Sequence, residues 1–222
     1  SSRRCVELAE SDPRLFAGVG IHPMDVRRPM DESTFKAIRA LAESRKVVAI
    51  SEVGLDGIEG APAIVLQEQV LRAHIQLARE LGLPVIYHAR MAYPRILDIL
   101  EQERAQDVGG AAHYFQGDIA TANRCIELGF FISMARPLLR LAELQEVARD
   151  VPLECIVLET DAYPQPFKRR RDQWTEPRHI LEVAQSVAKC KGIGVGKVVE
   201  QTGQNLLRML GKRSGDVKMI LE

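Results

Sequence analysis

The stretch VVAISEVGLDG, residues Val47 to Gly57, decides the fold prediction because it joins an apolar strand to a polar end. Its first four residues, up to Ile50, are the β-branched and apolar run expected of a strand covered by helices. Glu52 then follows where that strand should end. A buried carboxylate without a partner is costly, so the stretch raises the question of what holds Glu52 in place.

A strand–helix alternation continues along the chain from Leu15 onward. Amphipathic segments separate six apolar segments, and alternation of this kind favours a parallel sheet with right-handed crossovers. We expect one α/β domain over residues 1–222, because no linker-like or low-complexity tract interrupts the pattern. The predicted strands lie in LFAGVGIHP, VVAISEVGLD, LPVIYHAR, GAAHYFQG, FFISMA and ECIVLETDA.

The composition excludes several classes of protein. Thirty basic residues balance thirty acidic ones, so any affinity for nucleic acid or an anionic membrane must be local. No apolar run reaches the roughly 18 residues of a membrane span, and no signal peptide is visible. The four cysteines form no C-x-x-C motif, and we interpret them as reduced, mostly buried thiols of a cytoplasmic protein.

Five of the six predicted strands end in a residue that can bind a metal or exchange a proton. The carboxyl ends of parallel strands share one rim, where ligands bind in barrels and open sheets. Imidazoles and carboxylates that converge there match the ligand set of a divalent-metal hydrolase. These residues are His22, Glu52, His88, His113 and Asp161.

Each of these residues also has an ordinary structural explanation. A histidine at a strand end is more often a hydrogen-bonded rim residue, Glu52 could pair with an arginine, and Asp161 could cap a turn. His74 and His179 lie on predicted helices and are interpreted as structural. Only the recurrence of the others at one phase of the repeat favours a metal site, or the remnant of one.

Six motifs together resemble the TatD-type metal-dependent deoxyribonucleases. GVGIHP, ISEVGLD, LPVIYHAR, AAHYFQG, IVLETDA and TGQNLLRML occur in the order found in that family. The resemblance implies a (β/α)8 TIM barrel of the amidohydrolase type. It also implies one or two divalent metals, with zinc, magnesium and manganese all open, and cleavage of phosphodiester bonds in DNA.

The resemblance also implies roles for single residues. Glu52 corresponds to a glutamate that can bridge two metals, and His88 and His113 correspond to two histidines of the second metal. Asp161 corresponds to a ligand of the first metal that can also hold or deprotonate the attacking water. His22 corresponds to a rim histidine, for which we expect a phosphate contact.

The family's first strand carries an H-x-H pair, which the 222 residues do not contain. Residues 1–10 resemble the helix before the family's third strand, so we expect an N-terminally truncated barrel with about six of eight strands. Six strands cannot close that barrel, and self-association through the open edges is expected. A fragment, a partner that fills the gap and a degraded relative are all open; a repeat that starts mid-unit favours truncation.

A basic and aromatic segment, residues 164–177, follows Asp161 and is expected at the same rim. It predicts a lip that binds phosphates and stacks bases, although a solvated charge run is the ordinary alternative. The predicted substrate-binding residues are Arg90, Lys168, Arg169, Arg170 and Trp174.

The predicted function is therefore hydrolysis of DNA phosphodiester bonds by a metal-activated water, with two-metal chemistry impaired by the missing H-x-H pair. Two alternatives stay open. The chain could hydrolyse amide or ester bonds on the same fold, or it could be a non-enzymatic, partner-binding barrel.

Overall fold

A computed structural model describes residues 2–163, 170–171 and 174–221. Within these residues six parallel strands form one sheet whose spatial order is the order of the chain. This is the arrangement that successive strand–helix units build. Self-association through the edge strands β1 and β6 stays a prediction. The strands are β1 Ala17–Val19, β2 Val47–Asp56, β3 Val85–Arg90, β4 Gly110–Ala112, β5 Phe130–Met134 and β6 Ile156–Leu158.

The helices between the strands begin and end at residues with clear local signals. Asp31 and Asp118 cap α2 and α5 by accepting hydrogen bonds from backbone N–H groups, and Gly82 ends α3 in the left-handed region. The predicted helix over residues 1–10 is confirmed as α1. The helices are α1 Ser2–Ser11, α2 Glu32–Ala42, α3 Ile64–Leu81, α4 Tyr93–Gln102, α5 Ile119–Glu127, α6 Ala142–Asp150, α7 Ile180–Lys191, α8 Val195–Leu210 and α9 Ser214–Leu221.

The structure differs from the sequence-based expectations in several elements. The segment PLLRLAELQEVARD predicts one helix over residues 137–150, but its first part is a 3-10 turn over Arg136–Leu139, and α6 begins only at Ala142. The sequence pattern does not predict α9. All four cysteines are free thiols, but only Cys125 is buried. Among the described helices, none has the length and apolar character needed to span a membrane.

The two faces of the sheet bury different apolar groups. On one face Val85, Tyr87 and many other strand residues pack against the helices and form the large core. The alternate strand residues belong to a second, smaller cluster that includes residues from the end of α8 and from α9. Alternation with a period of two therefore assigns each strand residue to a face. The second cluster contains Val48, Ile86, Ala111, Phe131, Val157, Met209, Leu210 and Val217.

Strands β2 and β3 lie close together at Gly54, which pairs in register with His88. Gly54 has a φ of 150°, and a Cβ atom there would overlap the backbone carbonyl oxygen of His88. The absence of a side chain at Gly54 thus sets the position of the His88 backbone.

We expect Gly54→Ala to lower the free energy of unfolding by at least about 2 kcal/mol, because the new methyl group must push β2 away from β3. Gly203→Ala is the matched control, since its Cβ meets nothing within 4 Å on the exposed side of α8. That control should gain roughly 0.5–1 kcal/mol from helix propensity. Urea denaturation of both variants measures the difference, and equal stabilities would contradict the close approach.

Candidate metal centre

The structure brings six of the predicted site residues together near the carboxyl ends of the strands. They line one cavity of about 830 Å³. This is the rim at which parallel strands present their ligands. The six residues are His22, Glu52, His88, Arg90, His113 and Asp161. The prediction that Glu52 ends its strand is wrong, because β2 continues to Asp56 and its pairing with β3 is irregular between Ile50 and Val53, where Glu52 lies.

Three imidazoles face a single oxygen atom, Oε1 of Glu52. His88 Nδ1 lies 3.0 Å from it, His113 Nε2 lies 3.2 Å away, and His22 Nε2 lies 3.7 Å away. Burial raises the pKa of Glu52, but the hydrogen bond with His88 and the nearby imidazoles more than offset it, so the pKa is lowered. Glu52 is therefore ionised at neutral pH. For His22, burial lowers the pKa of the imidazole.

The outer nitrogens of two of these histidines contact carboxylates. Nε2 of His88 lies 2.9 Å from Oδ2 of Asp56, and Nδ1 of His113 lies 2.6 Å from Oε2 of Glu159. An ionised carboxylate only accepts hydrogen bonds, so each outer nitrogen carries a proton. The inner nitrogens, which face Glu52, are therefore the ones that can give up a proton and offer a lone pair to a cation.

Asp56 fixes both His88 and Arg90 from a position that is fully shielded from solvent. Its carboxylate accepts a hydrogen bond of 2.8 Å from Nε of Arg90 and one of 3.2 Å from the backbone N–H of Ile58. The Gln67 side chain holds the backbone of Asp56 at both its N–H and its carbonyl. Burial raises the pKa of Asp56, but the bonds from Arg90, Ile58 and His88 outweigh it and the pKa is lowered.

Glu159, like Asp56, holds a histidine of the site and was not predicted from the sequence. Besides His113, it accepts a 2.6 Å hydrogen bond from the backbone N–H of Tyr114. Its position follows from strand alternation, because Glu159 comes two residues after Val157, which belongs to the second cluster. By the same rule His113 follows Ala111. The alternation of side chains between the two faces, continued beyond the end of the strand, was the sequence signal that could have identified Glu159.

Asp161 lies at the outer edge of the cavity and is more exposed than the three carboxylates described above. Partial burial and the negative charges of Glu159 and Glu52 raise its pKa. Asp161, Met91 and Tyr114 all have φ near +50° just after a strand. Non-glycine residues rarely adopt this conformation, and such residues concentrate at functional sites.

The donor set fits a divalent metal ion. Ligand atoms of His22, Glu52 and His88 all lie within 4.8 Å of one another, and His113 meets the same Glu52 oxygen. Mixed imidazole and carboxylate donors suit zinc and manganese.

The chain matches the family model of TatD related DNases over residues 1–211. It belongs to this family. It is 36% identical over 205 residues to the metal-dependent hydrolase YcfH of Escherichia coli (strain K12), which covers 91% of this chain and 76% of the relative. It is 33% identical over 223 residues to the 3′-5′ ssDNA/RNA exonuclease TatD of Pantoea sp. (strain At-9b), which covers 94% and 84%.

Solved structures show the same fold. The TatD homologue YJJV of Escherichia coli K12 superposes with a TM-score of 0.82 at 25% identity, covering 93% of this chain and 81% of that one. A TatD family hydrolase from Entamoeba histolytica superposes with a TM-score of 0.81 at 21% identity, covering 93% and 80%. The predicted TatD family, TIM-barrel type of fold and hydrolase class are confirmed.

The predicted lip of this TatD chain is only partly described. Lys168 and Arg169 lie outside the described residues. Arg170 is exposed, and the half-buried indole of Trp174 lies 5.8 Å from the guanidinium of Arg171. The residues that line the described cavity include neither Arg170 nor Trp174. Substrate binding by the lip therefore stays a prediction.

We expect Glu159→Gln to lower the pKa of His113. Burial lowers this pKa, but the hydrogen bond and charge of Glu159, with Glu52 and Asp161, raise it from 6.5 to about 9. A raised folded-state pKa stabilises the protein fully below pH 6.5, and the stabilisation is lost as the pH rises through 9. It amounts to about 3 kcal/mol at most.

The measurement is an NMR titration of His113 in EDTA-treated protein, with urea denaturation at pH 6 and pH 10. The variant should titrate at least about one unit lower and lose less stability than the parent between these pH values. An unchanged His113 pKa in the variant would show that Glu159 does not hold this proton.

Proposed function

We propose that this chain hydrolyses phosphodiester bonds at the ends of single-stranded DNA in a metal-dependent reaction. The observation that supports this most directly is the convergence of His88 Nδ1 and His113 Nε2 on one oxygen of Glu52, at 3.0 and 3.2 Å. The buried carboxylate of Asp56 and the partly buried carboxylate of Glu159 contact the outer nitrogens of these histidines, as in metal sites with a second layer of hydrogen bonds. The TatD relatives named as exonucleases point to the same substrate class.

Glu52, His88, His113 and Asp161 would hold the metal. When bound there, a divalent cation would lower the pKa of water and neutralise charge on the phosphate. Zinc or manganese suits the two imidazoles better than magnesium, which prefers oxygen ligands and bound water. The raised pKa of Asp161 suits it to accept the proton of the attacking water.

Arg90 would bind the phosphate. Its guanidinium is about half exposed, lines the cavity and is anchored by two contacts to buried Asp56. An anchored guanidinium loses little conformational entropy when it binds an anion. Asp56 thus acts as a positioning residue for both His88 and Arg90.

The size and lining of the cavity favour the end of a single DNA strand over a DNA duplex as the substrate. Its volume of about 830 Å³ matches pockets that enclose one small ligand, on the scale of a nucleotide. Tyr93, Tyr114 and Tyr163 are among its lining residues and can provide apolar or stacking contacts for a base. We further propose that residues 1–222 act as one domain in the cytoplasm.

Metal content and nuclease activity together test this function. We expect His88→Ala and His113→Ala to lose more than half of the bound metal after dialysis, and about 100-fold or more of the hydrolysis of a 5′-labelled single-stranded oligonucleotide. His179→Ala is the matched control, because this half-buried histidine lies outside the cavity and bonds the backbone N–H of Glu176.

EDTA should abolish the activity of the parent chain, and added manganese or zinc should restore it. Unchanged metal content in both alanine variants would contradict the metal site. If the chain hydrolysed amide or ester substrates but not the oligonucleotide, the proposed substrate would be wrong. If it bound metal but hydrolysed no oligonucleotide, amide or ester, the non-enzymatic binding role would be favoured.

A further inference from the structure

We propose that His22 serves the site as an N–H donor to an anionic oxygen of the substrate and is not a metal ligand. The inference rests on the proposed function only for the identity of that anion, a phosphate. The distances from His22 to Glu52 and His88 would allow His22 to bind a metal with them. The hydrogen bonds around the ring point to the other role.

The decisive contact is on the far side of the His22 ring. Nδ1 of His22 accepts a 3.2 Å hydrogen bond from the backbone N–H of Met24. A backbone N–H group can only donate, so Nδ1 must carry the lone pair that accepts this bond. A neutral His22 ring must therefore place its proton on Nε2. A protonated ring would also keep a proton there. In either form Nε2, which faces Glu52, has no lone pair for a metal.

The other two histidines have the opposite arrangement. The outer nitrogens of His88 and His113 contact acceptor-only carboxylates, Asp56 at 2.9 Å and Glu159 at 2.6 Å. Because their outer protons stay on these carboxylates, their inner nitrogens are the ones that can release a proton to a cation and become ligands. Nε2 of His22 cannot do so, because the lone pair of this ring is already held at Nδ1 by the Met24 amide.

The backbone around His22 holds this N–H group in place. His22 has extended backbone angles and caps a short 3-10 turn, Pro23–Asp25, in which Pro23 is buried. Its ring packs edge-on against His88 with centroids 4.7 Å apart. Only 31% of the side chain is exposed. A donor fixed in this way before substrate arrives can stabilise developing negative charge without reorganising.

Two substitutions distinguish the roles of the two ring nitrogens of His22. Asparagine places its amide near Nδ1, so His22→Asn can keep the Met24 contact but loses the distal donor. Glutamine places its amide near Nε2, so His22→Gln keeps a distal N–H donor. A purely structural cap would be rescued by asparagine, whereas a donor to the substrate would be rescued by glutamine.

The experiment compares the parent chain, both His22 variants and His88→Ala. Metal content after dialysis and the metal-induced rise in Tm report ligation, and titration calorimetry with inorganic phosphate on the metal-loaded protein reports anion binding. We expect both His22 variants to keep the parent metal content, whereas His88→Ala loses most of it. Phosphate affinity should fall at least about fivefold in His22→Asn and less in His22→Gln.

Hydrolysis should fall by about 100-fold or more in His22→Asn, the cost of one lost oxyanion donor, and should recover by at least about tenfold in His22→Gln. Loss of metal from both His22 variants, as in His88→Ala, would make His22 a ligand and overturn the inference. Equal phosphate affinity in the parent and both variants would also overturn it. If the parent chain binds metal and phosphate but cleaves no oligonucleotide, only the proposed function fails.

Discussion

The carboxyl rim of the sheet is organised around one atom, Oε1 of Glu52. Three imidazole nitrogens lie within 3.7 Å of it, and each comes from a different segment of the chain. Such a cluster is stable only if every ring holds its protons in a fixed arrangement, since all three inner nitrogens face the same carboxylate oxygen. Asp56, Glu159 and the Met24 amide fix that arrangement from outside.

The fold supplies this order through two simple rules. Parallel pairing in chain order places the ends of neighbouring strands side by side, and alternation with a period of two decides which side chains face inward. Ile86 and Ala111 lie in the apolar cluster, and His88 and His113 follow them by two residues. The apolar cluster and the polar site are thus successive layers of one face. The close approach of β2 and β3 at Gly54 fixes the height of His88 within its layer.

These rules explain what the sequence could reveal. Apolar runs and their polar ends were enough to predict six strands and to bring His88, His113 and Glu52 to one rim. Glu159 was missed because ETDA offers two carboxylates, and choosing between them requires knowing which face Val157 occupies. The donor role of His22 was beyond reach, because it depends on a backbone N–H two residues away. A helix starting at Pro137 was predicted from apolar spacing, which a 3-10 turn shares.

Charge balance links the inner and outer parts of the site. Among the described residues around the cavity, four carboxylates face two strong positive groups, the guanidinium of Arg90 and the imidazolium that His113 forms when its pKa is about 9. Two negative charges are left over, a costly excess at a partly buried site. A divalent cation between the inner nitrogens would displace the proton from His113 and so add one net positive charge, which reduces the excess from two negative charges to one. The His113 proton and the metal thus compete for one position, and the four carboxylates stabilise either occupant. The carboxylates are Glu52, Asp56, Glu159 and Asp161.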